Sequence, residues 1–188
     1  LLAGHFLRRS ETEEFVPLRR SANMDPLTSL NNQSYFRRAA SRRLAQARIY
    51  GMPLSLAMLD LDDFKAYNDV FGHEAGNSML RFVADVLKRS FRADDIVARY
   101  GGEEFVVLLN TGQPNAAAVL ERIRERVETM SSPENNDLTK RRVTVSIGLA
   151  KLSGETRSVE DLIEAADRAL YVAKSSGKNR VVTSDQAA

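Results

Sequence analysis

Carboxylates gather at two places where this chain should leave a strand. Pro53-Leu54-Ser55-Leu56-Ala57-Met58-Leu59 is apolar enough for a buried strand and runs into Asp60-Leu61-Asp62-Asp63-Phe64-Lys65. Period-2 alternation puts Asp60 and Asp62 on one face, with Leu61 turned inward. The second place is Arg99-Tyr100-Gly101-Gly102-Glu103-Glu104-Phe105, set between an alternating run (Ile96 to Tyr100) and a continuous apolar one (Phe105 to Leu109). Two glycines between such runs predict a tight β-hairpin turned through positive φ angles. Taken singly, Asp62 or Asp63 reads as a turn residue and the glutamates as solvated charges at a hairpin tip. Taken together, on neighbouring strands, the two acidic groups could share one hard divalent cation such as Mg²⁺, with substrate phosphates completing its shell. With no Cys and only two His in the chain, a soft-ligand zinc or iron site is not expected.

The elements that must carry these residues follow from periodicity. Asp25-Pro26 and Thr28 supply turn chemistry, and Asn32 or Ser34 is placed to cap a helix to about Ile49. A short helix is expected over Lys65 to Val70. Met79, Leu80, Val83, Val86 and Leu87 then make a helical stripe that belongs to a core. Beyond the glycines the pattern predicts a helix from Asn115 to Met130, a loop over Ser131 to Asn136, and a strand from Arg142 to Ala150. Val159 through Ala173 marks a last long helix, and Val181-Val182 a closing strand. The order strand-helix-helix-strand-strand-helix-strand-helix-strand predicts an α+β fold, helices against a mainly antiparallel sheet.

These blocks, in this order, resemble the GGDEF domain of the diguanylate cyclase family. The signature is written here as Gly101-Gly102-Glu103-Glu104-Phe105. It is joined by Asp25-Pro26-Leu27-Thr28, by Asp60 to Lys65 with Asn68-Asp69, and by Phe71-Gly72-His73. Val143 to Gly148, Ala169 to Lys174, and Gly177-Lys178-Asn179-Arg180 complete the set over roughly residues 23 to 183.

The resemblance implies a fold similar to the polymerase palm and class III nucleotide cyclases. It also implies condensation of two GTP into cyclic di-GMP and two pyrophosphates in bacterial signalling. By position Asp60, Glu103 and the Leu61 carbonyl correspond to ligands for Mg²⁺ or Mn²⁺, two ions per site. Glu103, with Glu104, corresponds to the base for the 3′-hydroxyl, and Lys65 belongs with the catalytic set. Phe64, Lys65, Lys174 and Lys178 fall at GTP-binding positions, the three lysines as phosphate-binding cations. Independently, Lys174 and Lys178 share a helix face if the helix reaches that far. The family usually has Arg at position 178, so a point charge replaces a fork. Asn68 corresponds to a guanine-edge contact. Its partner position holds Asn77 where the pattern most often has Asp, and Asn77 also reads as a cap for the helix after Gly76. His73 is read as structural.

Arg92-Ala93-Asp94-Asp95 sets Arg92 and Asp95 at the family's inhibitory RxxD product site, with Arg122, Arg124 or Arg126 as further contacts. An Arg-x-x-Asp pair is equally the spacing of a plain surface ion pair. The partners implied are GTP, cyclic di-GMP as product and inhibitor, a second copy of the domain for catalysis, and an upstream sensor module. Two alternatives stay open: a non-catalytic module that binds cyclic di-GMP or GTP, and a cyclase of relaxed base preference.

The 188 residues at 43% hydrophobic content suit one domain with a short appendage. Residues 1–22 read as a partly helical connector from an upstream module or a segment packed on the domain, 23–184 as the catalytic domain, and 185–188 as a tail. The start at Leu1 suggests a piece of something longer. With 27 basic against 25 acidic residues the charge is nearly balanced, which argues against a nucleic-acid binder. No apolar run reaches the roughly 18 residues a membrane span needs. A cytoplasmic domain, of a soluble or membrane-anchored longer protein, is expected.

Overall fold

Strand β2 (Ser55–Leu61) is buried along its whole length because both faces of its sheet are covered by helices. Leu56, Met58, Leu59 and Leu61 are each at most 1% exposed, and burying each such side chain stabilises by roughly 1.5–3 kcal/mol. That anchorage is large enough to hold a carboxylate, Asp60, at a desolvated strand end. The computed structural model describes residues 22–132 and 140–187.

Among these residues the sheet has six strands: β1 (Asn31–Asn32), β2, β3 (Ile96–Arg99), β4 (Glu104–Leu109), β5 (Val145–Lys151) and β6 (Val181–Thr183). Their spatial order is β1-β3-β4-β2-β5-β6. The centre is antiparallel, but β1 pairs parallel with β3 and β6 parallel with β5. The expected mainly antiparallel sheet is therefore corrected to a mixed one, within an α+β fold. Both parallel partners are edge strands of two or three residues, too short to show a period in the sequence.

Alternation along β2 divides the core. Ala57, Leu59 and Leu61 face helices α2 (Phe64–Phe71), α3 (His73–Ser90) and α4 (Gln113–Met130). Leu56 and Met58 face α1 (Gln33–Tyr50) and α5 (Val159–Ser175), so the same period turns Asp60 toward α5. Helix α1 starts where expected, Asn32 Oδ1 accepting from Tyr35 N–H at 2.9 Å. A capping box of Ser158 and Asp161 fixes the start of α5. Strand β5 begins at Val145, three residues later than the apolar pattern suggested.

Helix α3 begins at His73 behind Gly72. Asn77 thus sits inside the helix, with its amide 3.5 Å from Glu74 Oε1, and the cap reading is overturned. The expected connector falls almost wholly on residues 1–21, and the loop after α4 partly on 133–139; both lie outside the described residues. No helix among the described residues is long and apolar enough to cross a membrane.

Candidate active site

Antiparallel pairing of β2 with β4 sets Asp60 opposite Glu104. The Leu61 N–H also reaches the Glu103 carbonyl at 3.4 Å. The two acidic groups of the sequence therefore meet at one end of adjacent strands. Glu104 shares the α5 side of the sheet with Asp60, following the alternation through Val106 and Leu108. From α5, Lys174 brings its ammonium to 2.6 Å from Asp60 Oδ1, the carboxylate side chain being 7% exposed.

The hairpin is present, but neither signature glycine has a positive φ, which corrects the expected turn geometry. Space, not backbone sign, accounts for Gly101: a Cβ there would lie 2.4 Å from Glu104 Oε2, so the glycine makes room for that carboxylate to fold back. A Cβ on Gly102 would meet nothing within 4 Å.

Burial is the largest influence raising the pKa of Asp60, Glu103 and Glu104 above the ordinary carboxylate range. For Glu103 and Glu104 the neighbouring Asp60 charge adds to it, and Lys174 opposes it in all three. Crowded, part-desolvated carboxylates of this kind gain from a nearby multivalent cation. Among the described residues no three His, Cys, Asp or Glu side chains close a cage. A hard cation such as Mg²⁺ is commonly held by only one or two protein carboxylates. The residues present fit that group.

Asp62 does different work. Strand β2 ends before it, and its buried carboxylate accepts from Ser146 Oγ at 2.6 Å, Thr144 Oγ1 at 2.7 Å and Asn179 N–H at 3.1 Å. It fastens β5 and the segment after α5 to the end of β2. That segment also corrects an expectation. Helix α5 stops at Ser175, and Lys178 and Asn179 follow in left-handed backbone. Lys174 and Lys178 therefore do not share a helix face; Lys178 donates to Asp63 Oδ1 at 2.5 Å instead. Lys65 is exposed in the first turn of α2, while Phe64 is buried in the core.

Asn68 Oδ1 is buried without a hydrogen-bond partner among the described residues. An orphaned acceptor is costly unless a ligand supplies a donor. Gly76 makes room for it, since a Cβ there would lie 1.8 Å from that oxygen.

The family model described as "Diguanylate cyclase, GGDEF domain" matches residues 22–180. This chain belongs to the GGDEF family. It is 39% identical over 166 residues, 87% of the chain, to diguanylate cyclase DosC of Escherichia coli (strain K12), of which those residues make up 35%. The coiled coil and GGDEF domain of DgcB from Caulobacter crescentus, solved with c-di-GMP, superposes with a TM-score of 0.85 at 35% identity, covering 93% of this chain and 92% of that one. The active GGEEF domain of a Vibrio cholerae diguanylate cyclase gives a TM-score of 0.74 at 30% identity, covering 81% and 96%. The chain spans about a third of the length of the curated relatives it matches.

The RxxD segment of this GGDEF domain enters β3, at the opposite end of that strand from the signature. Arg92 and Asp95 are not joined by a side-chain ion pair. Asp95 accepts instead from the Arg92 N–H at 3.1 Å and the Asn110 N–H at 3.3 Å, while the Arg92 residue is exposed. Arg124 is committed elsewhere: its guanidinium, 12% exposed, binds Glu121, Glu128 and Asn179 and ties α4 to the turn after α5.

Sequence reasoning missed Arg99. Its guanidinium donates to the Gly102 carbonyl at 2.6 Å and to both oxygens of Asp25 at 3.2 Å. Asp25 Oδ1 in turn accepts from Thr28 N–H at 2.8 Å and Thr28 Oγ1 at 2.6 Å. The Asp25-Pro26-Leu27-Thr28 turn is thus a strut under the glycine hairpin, joined to the Gly102 carbonyl through Arg99. Its immediate adjacency to the signature was the available signal. Arg99→Lys keeps the charge but loses the fork. For the cyclase activity proposed below it should lower kcat about tenfold while thermal stability falls little; unchanged kcat in the folded variant would leave the strut without a catalytic part.

Proposed function

We propose that this domain condenses two GTP into cyclic di-GMP, releasing two pyrophosphates. The convergence of Asp60, Glu103 and Glu104 with Lys174 at the ends of β2 and β4 is the observation that carries the reading. The family membership and the c-di-GMP bound to the Caulobacter crescentus relative support it. We read the sheet and its helices as palm-like and residues 23–184 as the catalytic unit. An upstream sensor module and a cytoplasmic setting are part of the same proposal.

Asp60, Glu103 and the Leu61 carbonyl would hold Mg²⁺ or Mn²⁺, two ions in this reading. The ions would neutralise phosphate charge and favour ionisation of the attacking hydroxyl. Each 3′-hydroxyl attacks the α-phosphate of the other nucleotide; the new P–O bond forms as the bond to pyrophosphate breaks. The hydroxyl proton passes to Glu103 or Glu104, whose raised pKa values bring them closer to the working range of a general base. Lys65, Lys174 and Lys178 bind phosphates in this reading. In this reading Asn68 Oδ1 accepts from the guanine edge and Asn77, in the first turns of α3, is its partner there.

One domain carries one nucleotide, so two domains face each other and specific activity rises with protein concentration. The purified domain, incubated with GTP and Mg²⁺ and resolved by chromatography, should give cyclic di-GMP and two pyrophosphates per product. No product at any protein concentration would overturn the assignment.

Arg92, its side chain unpaired with Asp95, is proposed to bind product phosphate or a guanine edge, with Asp95 beside it. Arg92→Ala should weaken cyclic di-GMP binding at least about tenfold and straighten progress curves that otherwise bend as product accumulates. Equal calorimetric affinity for both proteins would leave the segment a turn held by Asp95 alone.

A further inference from the structure

Asp63 and Lys178 meet across 115 positions of sequence, the ammonium donating to Oδ1 at 2.5 Å with both side chains part-exposed. The hydrogen bond and charge of Asp63 raise the Lys178 pKa. A second phosphate-side lysine, Lys174, is also held by a carboxylate, but in the proposed reading Asp60 has a further use as a donor to the cation. Asp63 has none. It stands at the N-cap position of α2 in left-handed backbone and makes no side-chain cap bond. It is exposed, outside both core clusters, and lines a cleft of about 300 Å³ whose other charged side chains are Asp62, Arg141 and Arg142. Asp62 is saturated by Ser146, Thr144 and Asn179. Asp63 is therefore a part-exposed carboxylate beside the site whose side-chain bond to Lys178 can be exchanged.

We infer that Asp63 sets the affinity for the nucleotide's phosphates: its carboxylate occupies Lys178 in the free domain, and an incoming phosphate must displace it. The inference rests on the reading of Lys178 as a phosphate-binding cation. No bond of the substrate is altered; one anion replaces another on the same ammonium, and the displaced Asp63 remains nearby as a repelling charge. Part-exposed ion pairs are weak, so the exchange attenuates binding without preventing it. Such an arrangement suits a domain that should fill at high nucleotide concentration and discriminate against weaker anions.

Asp63→Asn keeps the shape, and Asn tolerates left-handed backbone, so the variant should fold. Calorimetry with inorganic tripolyphosphate and Mg²⁺ tests it without relying on turnover. Asp63→Asn should bind about two- to fivefold more tightly than the parent. That gain should vanish in the Lys178→Gln background, because the coupling runs through the ammonium. Equal affinity of parent and Asp63→Asn, a gain that persists without Lys178, or no binding by either protein each overturns the inference. A tighter Asp63→Asn beside a parent that makes no cyclic di-GMP from GTP supports the exchange and sinks the proposed activity instead.

Discussion

Glu103→Ala and Asp60→Ala should each cut cyclic di-GMP formation by at least about a hundredfold while the domain stays folded. Asp60 is desolvated at the end of β2, and Glu103 hangs from a hairpin whose backbone is bonded to Leu61. Removing either takes away one of the two carboxylates that would hold the cation. Neither contributes apolar packing, so the loss should not spread to the core.

The direction of the pKa shifts sharpens the test. Ordinary values are 3.8 for Asp and 4.5 for Glu; burial first raises Asp60, Glu103 and Glu104 above them, the Asp60 charge adding at the two glutamates and Lys174 opposing the rise in all three. The folded metal-free domain then holds protons that the unfolded chain has released. Stability therefore falls as pH rises from the ordinary values through the raised folded ones. Asp60→Asn should flatten that fall, and added Mg²⁺ should raise the melting temperature of the parent more than that of the variant. Full turnover by either folded alanine variant, or equal Mg²⁺ stabilisation of Asp60→Asn, would sink the metal assignment.

Gly148→Ala should destabilise the domain by about 3 kcal/mol or more, through overpacking. A Cβ on Gly148 would lie 2.1 Å from the Ala166 carbonyl oxygen, 2.2 Å from Leu170 N and 2.8 Å from Leu170 Cα. These are backbone atoms of α5 and cannot swing aside, so the helix must lift from β5. Lys174 is one turn beyond Leu170, and lifting α5 withdraws its ammonium from Asp60. Activity should fall together with stability. Gly102→Ala is the contrast, since a Cβ there meets nothing and φ is not positive; its stability should stay within about 0.5 kcal/mol. Denaturant unfolding of both variants decides the matter, and a Gly148→Ala protein as stable as the parent would show that α5 is not seated by that glycine.

Much of the domain was legible from residue order. Helices α1, α2 and α5 and strands β2 and β4 follow from periodicities that local sequence carries, and the family from blocks that recur in fixed order. Asp60, Glu103 and Glu104 could be named because carboxylates at the ends of apolar runs contradict the pattern around them. The edge β1 could not be read, because two residues show no period; β6 was legible as the closing strand Val181-Val182, but its parallel pairing, like that of β1, comes from strands distant in the chain. Nor could the work of the glycines be read: Gly101, Gly76 and Gly148 each make room for something, and what that is depends on an atom brought there by another element. Arg99 on Asp25, Lys174 on Asp60 and Lys178 on Asp63 are likewise pairs of the tertiary structure. Sequence determined which groups could carry charge. Packing decided which charges meet, because an ion pair depends on distance in space and residue order does not encode that distance.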